Sequence, residues 1–398
     1  MSGDMLRIAA IPAVAGTIGL VTNWLAVRMM FEPVTFRGVG PIGWQGVIPG
    51  KAAKMASISV DKGLAKLGSL SEFYEKLDPD AIARHVVSDS TDEVRRLVDQ
   101  IAARESPDVW LDLPDSVREA VLDRVEQEFP ALVEAVTQDI GANIDQLMDL
   151  KRMVVRHMND HPTLVNRMFW EVGEREFNFI VRSGLYFGFG LGLIQMAVFL
   201  VWDNALVLPV AGLLVGFLTN WVALRIIFEP IEPVRVGPVT FWGLFPKRQD
   251  EVATVYARLI TSEILTLANI VDEMLHGPMS DRTRMLLAKR LRPAVDEALG
   301  LARPAVRLAV GGREYDSIKD SLATDAVEIT LGSFRDPAFN EDRSEVLQEL
   351  IAERMAELPP QDFSDLLRSA FKEDEWQLIT AGAVLGGAAG LAQMALVF

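Results

Sequence analysis

The chain has 398 residues, no cysteine, 50% hydrophobic residues and a formal net charge of −16. The missing cysteines exclude a disulfide framework and any thiol-ligated metal or cluster. The acidic balance argues against nucleic acid as a partner, because binding phosphates needs a basic surface.

A positive mean hydropathy beside so much negative charge means that the two are segregated along the chain. Hydrophobicity concentrates in four uncharged runs, 8–27, 183–202, 205–224 and 378–398. Each is about 20 residues long, enough to cross a hydrocarbon core of about 30 Å as a helix. The expected class is an all-α membrane protein with four transmembrane helices. Its segments are a first transmembrane helix within 1–31, a polar helical segment 32–180, a transmembrane hairpin 181–228, a second polar segment 229–377 and a last helix 378–398.

The first run has the length of a signal-peptide core, but Arg7 is its only basic flank and Pro12 comes early. Its sequence also recurs inside the chain as the third run. An internal copy is not a cleaved signal, so 8–27 is expected to be a retained span.

That recurrence organises the whole chain. Residues 22–33, TNWLAVRMMFEP, reappear as 219–230, TNWVALRIIFEP, and the match continues through Val39-Gly40-Pro41 against Val236-Gly237-Pro238. A period near 200 is too long for a solenoid unit and marks two copies of one module. In each copy an asparagine, Asn23 or Asn220, sits inside the apolar run, where an amide must find a partner and acts as interhelical glue. Trp24 and Trp221 follow at the interface, and Arg28 and Arg225 reach the headgroups. Glu32 and Glu229 come four residues later, at ion-pair spacing. Pro33 and Pro230 end the helix.

The motif has two readings. One is a clamp that fixes the helix where it leaves the bilayer. The other is a site for a lipid headgroup or substrate built from Asn23, Trp24, Arg28, Glu32 and their counterparts Asn220, Trp221, Arg225 and Glu229. The stretches 40–49 and 237–246 that follow are apolar, aromatic and rich in turn residues, with Lys51, or Lys247 and Arg248, immediately behind. They have the composition of interfacial loops with a basic collar for anionic lipid, or of loops packed inside a domain.

The polar segments 32–180 and 229–377 are 149 residues each, and each carries nine more acidic than basic residues. Their hydrophobic spacing is helical, as in the series Val117, Val121, Val125, Phe129, Leu132, Val133, Val136, Ile140. Helix starts are expected at Ser71, at Asp78 with Pro79, and at Asp115, Ser280 and Asp362. Pro130 predicts a break or kink. No run alternates with period two, so strands are expected to be minor.

Between the segments, Trp202-Asp203-Asn204 alone joins the second and third runs, which predicts a tight hairpin. Gly184, Gly188 and Gly192 on the second span recur as Gly382, Gly386 and Gly390 on the fourth. A duplicated small-xxx-small triple predicts close helix packing, against Ala15/Gly19 and Gly212/Gly216 on the outgoing spans. Gln195 and Gln393, shallower than the asparagines, are expected to bond another span or a water. Basic residues near the span ends lie almost wholly on the side of the long segments. The positive-inside rule then makes those segments cytoplasmic, with the hairpin and termini outside, so the two repeats run parallel.

The duplicated Asn-Trp-x-Ala-x-Arg-x-x-Phe-Glu-Pro, followed by Ile-Pro-Gly-Lys or Phe-Pro-Lys-Arg, resembles the bacterial membrane-protein family catalogued as domain of unknown function 445. The resemblance covers the layout of spans and segments, and it implies an inner-membrane protein without established chemistry.

His157 and His161 have helical spacing, but Pro162 follows and the other half lacks the pair, which argues against a metal site. No phosphate loop, nucleotide-binding glycine motif or nucleophile elbow is present, so no cofactor and no catalysis are expected. The reading is a membrane-anchored helical scaffold or lipid-interacting protein of the inner membrane, with lipids, anionic ones among them, and an unknown protein as potential partners, and with room for an oligomer. The alternative is a small-solute or lipid transporter or channel built from the two parallel repeats. A lipid-processing enzyme ranks last.

Overall fold

A computed structural model describes residues 3–39, 42–202, 204–299, 303–313, 315–322, 334, 336–372 and 375–397. Gly40 and Pro41 of the first loop, Asp203 of the linking turn and the side chain of Arg7 lie outside the described residues. The protein is 84% helical. Four helices are long and apolar enough to cross a membrane, and they fall within Gly3–Phe31, Pro162–Val201, Val207–Phe228 and Glu375–Val397. The second begins well before its apolar run, so one unbroken helix carries both polar and apolar stretches.

The helices form two compact units. One comprises 1–67, 154–256 and 352–398, and the other 68–153 and 257–351. Each unit therefore draws on both polar segments. The physical reason lies in the hydrophobic stripes: a helix from the first segment finds its apolar partner on a helix from the second.

In the unit that holds the spans, the first packs along the second and the third along the fourth. The glycines make this possible. A Cβ on Gly19 would stand 2.2 Å from the Gly184 carbonyl oxygen, and one on Gly216 would stand 2.1 Å from that of Gly382. Gly188 and Gly192 meet Ala15 and Pro12, while Gly386 and Gly390 meet Gly212, Leu208 and Pro209. Backbone approaches backbone at every step, the arrangement expected where lipid supplies no hydrophobic drive between helices. The turn between second and third spans is tied by Asn204, whose Oδ1 accepts from the Leu206 N–H at 2.9 Å.

Two antiparallel hairpins follow the outgoing spans, Arg37–Val39 with Ile42–Trp44 and Val234–Val236 with Val239–Phe241. The pair Arg37/Trp44 corresponds to Val234/Phe241 at the same offset of 197, so the register itself is duplicated. These short strands are the minor component expected.

In the second unit the Pro79–Glu105 helix starts as predicted, with Asp78 capping the Ala81 N–H. The start expected at Ser71 falls instead at Ser69, which forms a capping box with Glu72. Pro114 caps the helix expected at Asp115. That helix, Asp115–Leu147, runs through Pro130 without a break. It packs against Pro79–Glu105 and Ser280–Leu299. Arg290 on the latter binds Asp139 through Nε at 2.5 Å and Nη2 at 2.8 Å. Two apolar cavities lie along the same helix, of about 190 Å³ and 110 Å³.

Candidate functional site

The duplicated motif ends each outgoing span in the same way. The helix stops at Phe31 or Phe228, and the Glu32–Pro33 and Glu229–Pro230 peptides are both cis. The loop then folds back. The Gly46 N–H donates to the Pro33 carbonyl and the Gly243 N–H to the Pro230 carbonyl, each at 2.9 Å. Glycine is required there, because a Cβ on Gly46 would lie 2.7 Å from the Phe31 carbonyl carbon.

Asn23 and Asn220 are fully buried. Asn23 Nδ2 donates to the Ile180 carbonyl at 2.8 Å, and Asn220 Nδ2 to the Leu378 carbonyl at 2.9 Å. Each amide thus ties an outgoing span to its returning partner, directly beside the glycine contacts. Both Oδ1 atoms lack a partner among the described residues. Gln195 is buried as well, and its Nε2 has no protein partner among the described residues.

The charged residues sit farther out. Arg28 lies over the Trp24 ring at 5.4 Å and binds Glu32 at 2.8 Å. Arg225 lies over Trp221 at 5.2 Å and meets Glu229 at 3.2 Å. Both tryptophans are exposed. In each copy the cation, the ring and the carboxylate form one cluster at the helix end.

The copies differ around that cluster. Phe31 meets Trp170 edge-on at 5.2 Å, whereas Phe228 carries the Arg368 guanidinium at 5.4 Å. Positions 170 and 368 correspond at the offset of 198 that relates the glycine triples. Arg368 also binds Glu229 at 3.1 Å and Glu375 at 3.2 Å, so the second cluster is tied down by a further cation. The first stays open. Arg28, Glu32, Arg37 and Trp44 line one shallow recess with Met29 and Thr35. Arg37 was not among the residues singled out from the sequence; only its strand pairing brings it there.

The basic residues behind the loops part company. Lys247 is exposed and Lys51 is half-buried. Arg248 is turned inward: Nη1 binds both Glu176 oxygens, at 2.7 and 2.8 Å, and Nη2 binds Glu251 at 2.9 Å. Burial lowers its pKa, but the hydrogen bonds to Glu251 and Glu176 outweigh that and leave it above the ordinary arginine value. The structure therefore places Arg248 in a buried ion pair rather than in a collar facing lipid.

The hairpins present their apolar side chains outward. Phe36, Val39 and Trp44 are exposed on the first, and Val234, Val236, Val239, Phe241 and Trp242 on or beside the second. Val39 is 87% exposed and Phe241 53%. Isolated exposed hydrophobics need no explanation, but two hairpins at matching positions beside membrane-length helices make a duplicated exposed apolar surface. His161, the remaining sequence candidate, turns its Nδ1 to the His157 carbonyl at 3.0 Å.

No family model matches the chain. Among curated proteins it is similar to a UPF0754 membrane protein of Bacillus cytotoxicus, 36% identical over 73 residues, covering 18% of this chain and 19% of the relative. A UPF0754 membrane protein of Listeria monocytogenes is 30% identical over 95 residues, covering 22% and 25%. One of Rippkaea orientalis is 29% identical over 142 residues, covering 29% and 33%. The matched stretch thus spans about a fifth to a third of the length of these curated relatives. Together with the four apolar helices, these likenesses support a membrane location for a chain similar to uncharacterised bacterial membrane proteins.

Proposed function

We propose that the protein is a lipid-interacting scaffold of a bacterial inner membrane, with both long segments in the cytoplasm, and that it binds rather than catalyses. The observation that carries this reading is the twin hairpin. Each outgoing span is followed by the same register of paired residues, exposed apolar side chains and an Arg-over-Trp cluster. Aromatic side chains at headgroup level and cations beside them suit an anionic leaflet. The asparagines, bonded between helices, hold the spans, while Arg28, Arg225 and Lys247 put exposed cations beside the hairpins.

Native mass spectrometry of the full chain, released from nanodiscs of mixed phosphatidylglycerol and phosphatidylcholine, tests the reading. Retained lipid is expected to be enriched in phosphatidylglycerol, and Arg28→Ala with Arg225→Ala to reduce that enrichment several-fold. Equal retention of both lipids in the unaltered protein would remove the basis for an anionic-lipid role.

A further inference from the structure

The two cavities of the second unit adjoin: Val94, Phe129, Leu132 and Leu291 line both. Their common wall is the Asp115–Leu147 helix. Val117, Val121 and Val125 face the larger cavity, and Val136 and Ile140 face the smaller one. The helical stripe legible in the sequence therefore lines these adjoining cavities over much of its length, and together they form one apolar chamber wall between packed helices. From 117 to 140 that wall runs roughly 35 Å at helical rise. A single lipid tail occupies about 15 Å, half of a hydrocarbon core.

Apolar cavities of this size exclude water and accept apolar ligands. The larger one is aliphatic and aromatic apart from Ser106, Glu128 and Tyr315. Ser106 has a buried Oγ with no hydrogen-bond partner among the described residues. Tyr315 connects the wall to a charged cluster. Its hydroxyl donates to Asp296 at 2.6 Å, and Asp296 also holds Lys319 at 3.0 Å and Arg303 at 3.2 Å. Lys319 and Asp296 are largely buried, with side chains 12% and 18% exposed. Among the described residues, two cations thus share one carboxylate beside the chamber.

We infer that this chamber binds a single-chain amphiphile with an anionic head, a long-chain fatty acid, its tail along the Val117–Ile140 wall and its carboxylate at Lys319, Arg303 and Ser106. The cations at the Tyr315 wall fit a carboxylate, and the apolar wall fits a hydrocarbon chain that a surrounding membrane supplies. The inference stands apart from the hairpins. A chamber variant is expected to leave phosphatidylglycerol enrichment unchanged, and the Arg28/Arg225 variant to leave fatty-acid binding unchanged, so either reading fails without the other.

The test uses the full chain, delipidated in non-ionic detergent, with oleate as the probe. Saturable binding of one oleate per chain is expected, weakened about tenfold or more by Val121→Trp, which fills the chamber. Lys319→Met is expected to weaken oleate several-fold while leaving methyl oleate unaffected. Dibromostearate is expected to quench Trp110, which lines the chamber, and Trp110→Phe to remove that part of the quenching. Circular dichroism checks that each variant keeps its helicity. Should Val121→Trp not fold, the quenching lost with Trp110→Phe decides the question in its place. Absence of saturable binding, or unchanged affinity in a folded Val121→Trp, or quenching indifferent to Trp110→Phe, overturns the inference. Equal loss of oleate and methyl oleate binding in Lys319→Met overturns the placement of the head.

Discussion

Where the spans pair, helices approach until backbone meets backbone; in the second unit, helices of similar length stand apart around a chamber. The contrast follows the residues available at each seam. Gly184, Gly188 and Gly192 and their copies remove every side chain that would hold the spans apart. Valine, leucine and phenylalanine along the Asp115–Leu147 helix hold its neighbours off and leave space between them. Close packing in lipid comes from small residues. Outside it, large apolar residues supply stabilisation by burial, which is non-directional and tolerates imperfect fit.

Substitutions that enlarge or fill these seams are expected to act with opposite sign. Gly19→Leu combined with Gly216→Leu forces side chains into the Gly184 and Gly382 carbonyls and is expected to cost well over about 3 kcal/mol, abolishing a detergent-stable fold. Size-exclusion profiles and thermal melts check this. Gly190→Ala, on the same second span with open space around it, is the control and is expected to be neutral or slightly stabilising.

The next largest effect tests the tie made by Arg248. Arg248→Met leaves Glu176, with a side chain 6% exposed, as a buried carboxylate without its guanidinium. The expected loss is about 3 kcal/mol, read from a shift in the denaturation midpoint. Val121→Leu adds one methylene to the chamber and is expected to raise stability by up to about 0.8 kcal/mol. A loss of similar size would mean that the chamber is already tight.

The smallest effect is electrostatic. The hydrogen bond from Arg290 holds the Asp139 carboxyl below the ordinary aspartate value. A depressed carboxylate contributes stability above its unfolded pKa, about 3.9, and that contribution is lost as pH falls through the folded value. Asp139→Asn is therefore expected to be less stable than the parent near neutrality, with the gap closing below about pH 4. Parallel acid titrations followed by circular dichroism read it.

Much of the span architecture was legible because lipid restricts it so tightly. Uncharged runs of fixed length, a glycine every fourth residue and an asparagine beside them leave few ways to pack. The Asn23–Ile180 bond could not be read directly, because its acceptor is a main-chain carbonyl, and every residue has one. The hairpins were illegible for a related reason: strands of three residues are too short to show alternation. Arg248 and Lys51 follow their loops at similar positions in the sequence, and only the Glu176 carboxylate, on a distant helix, draws Arg248 inward. The chamber was hidden most completely. A valine stripe has the same spacing whether it faces a neighbour or a cavity, and Pro130 gave no warning that the helix would run on past it.

The Pro162–Val201 helix has a mechanical consequence. Its 40 residues span about 60 Å, twice the thickness of a hydrocarbon core, so about 30 Å extends beyond the lipid as a stiff arm. That arm is packed rather than free: Val165 is fully buried, and Asn166 Nδ2 donates to the Phe31 carbonyl at 2.6 Å, which couples the arm to the end of the first span.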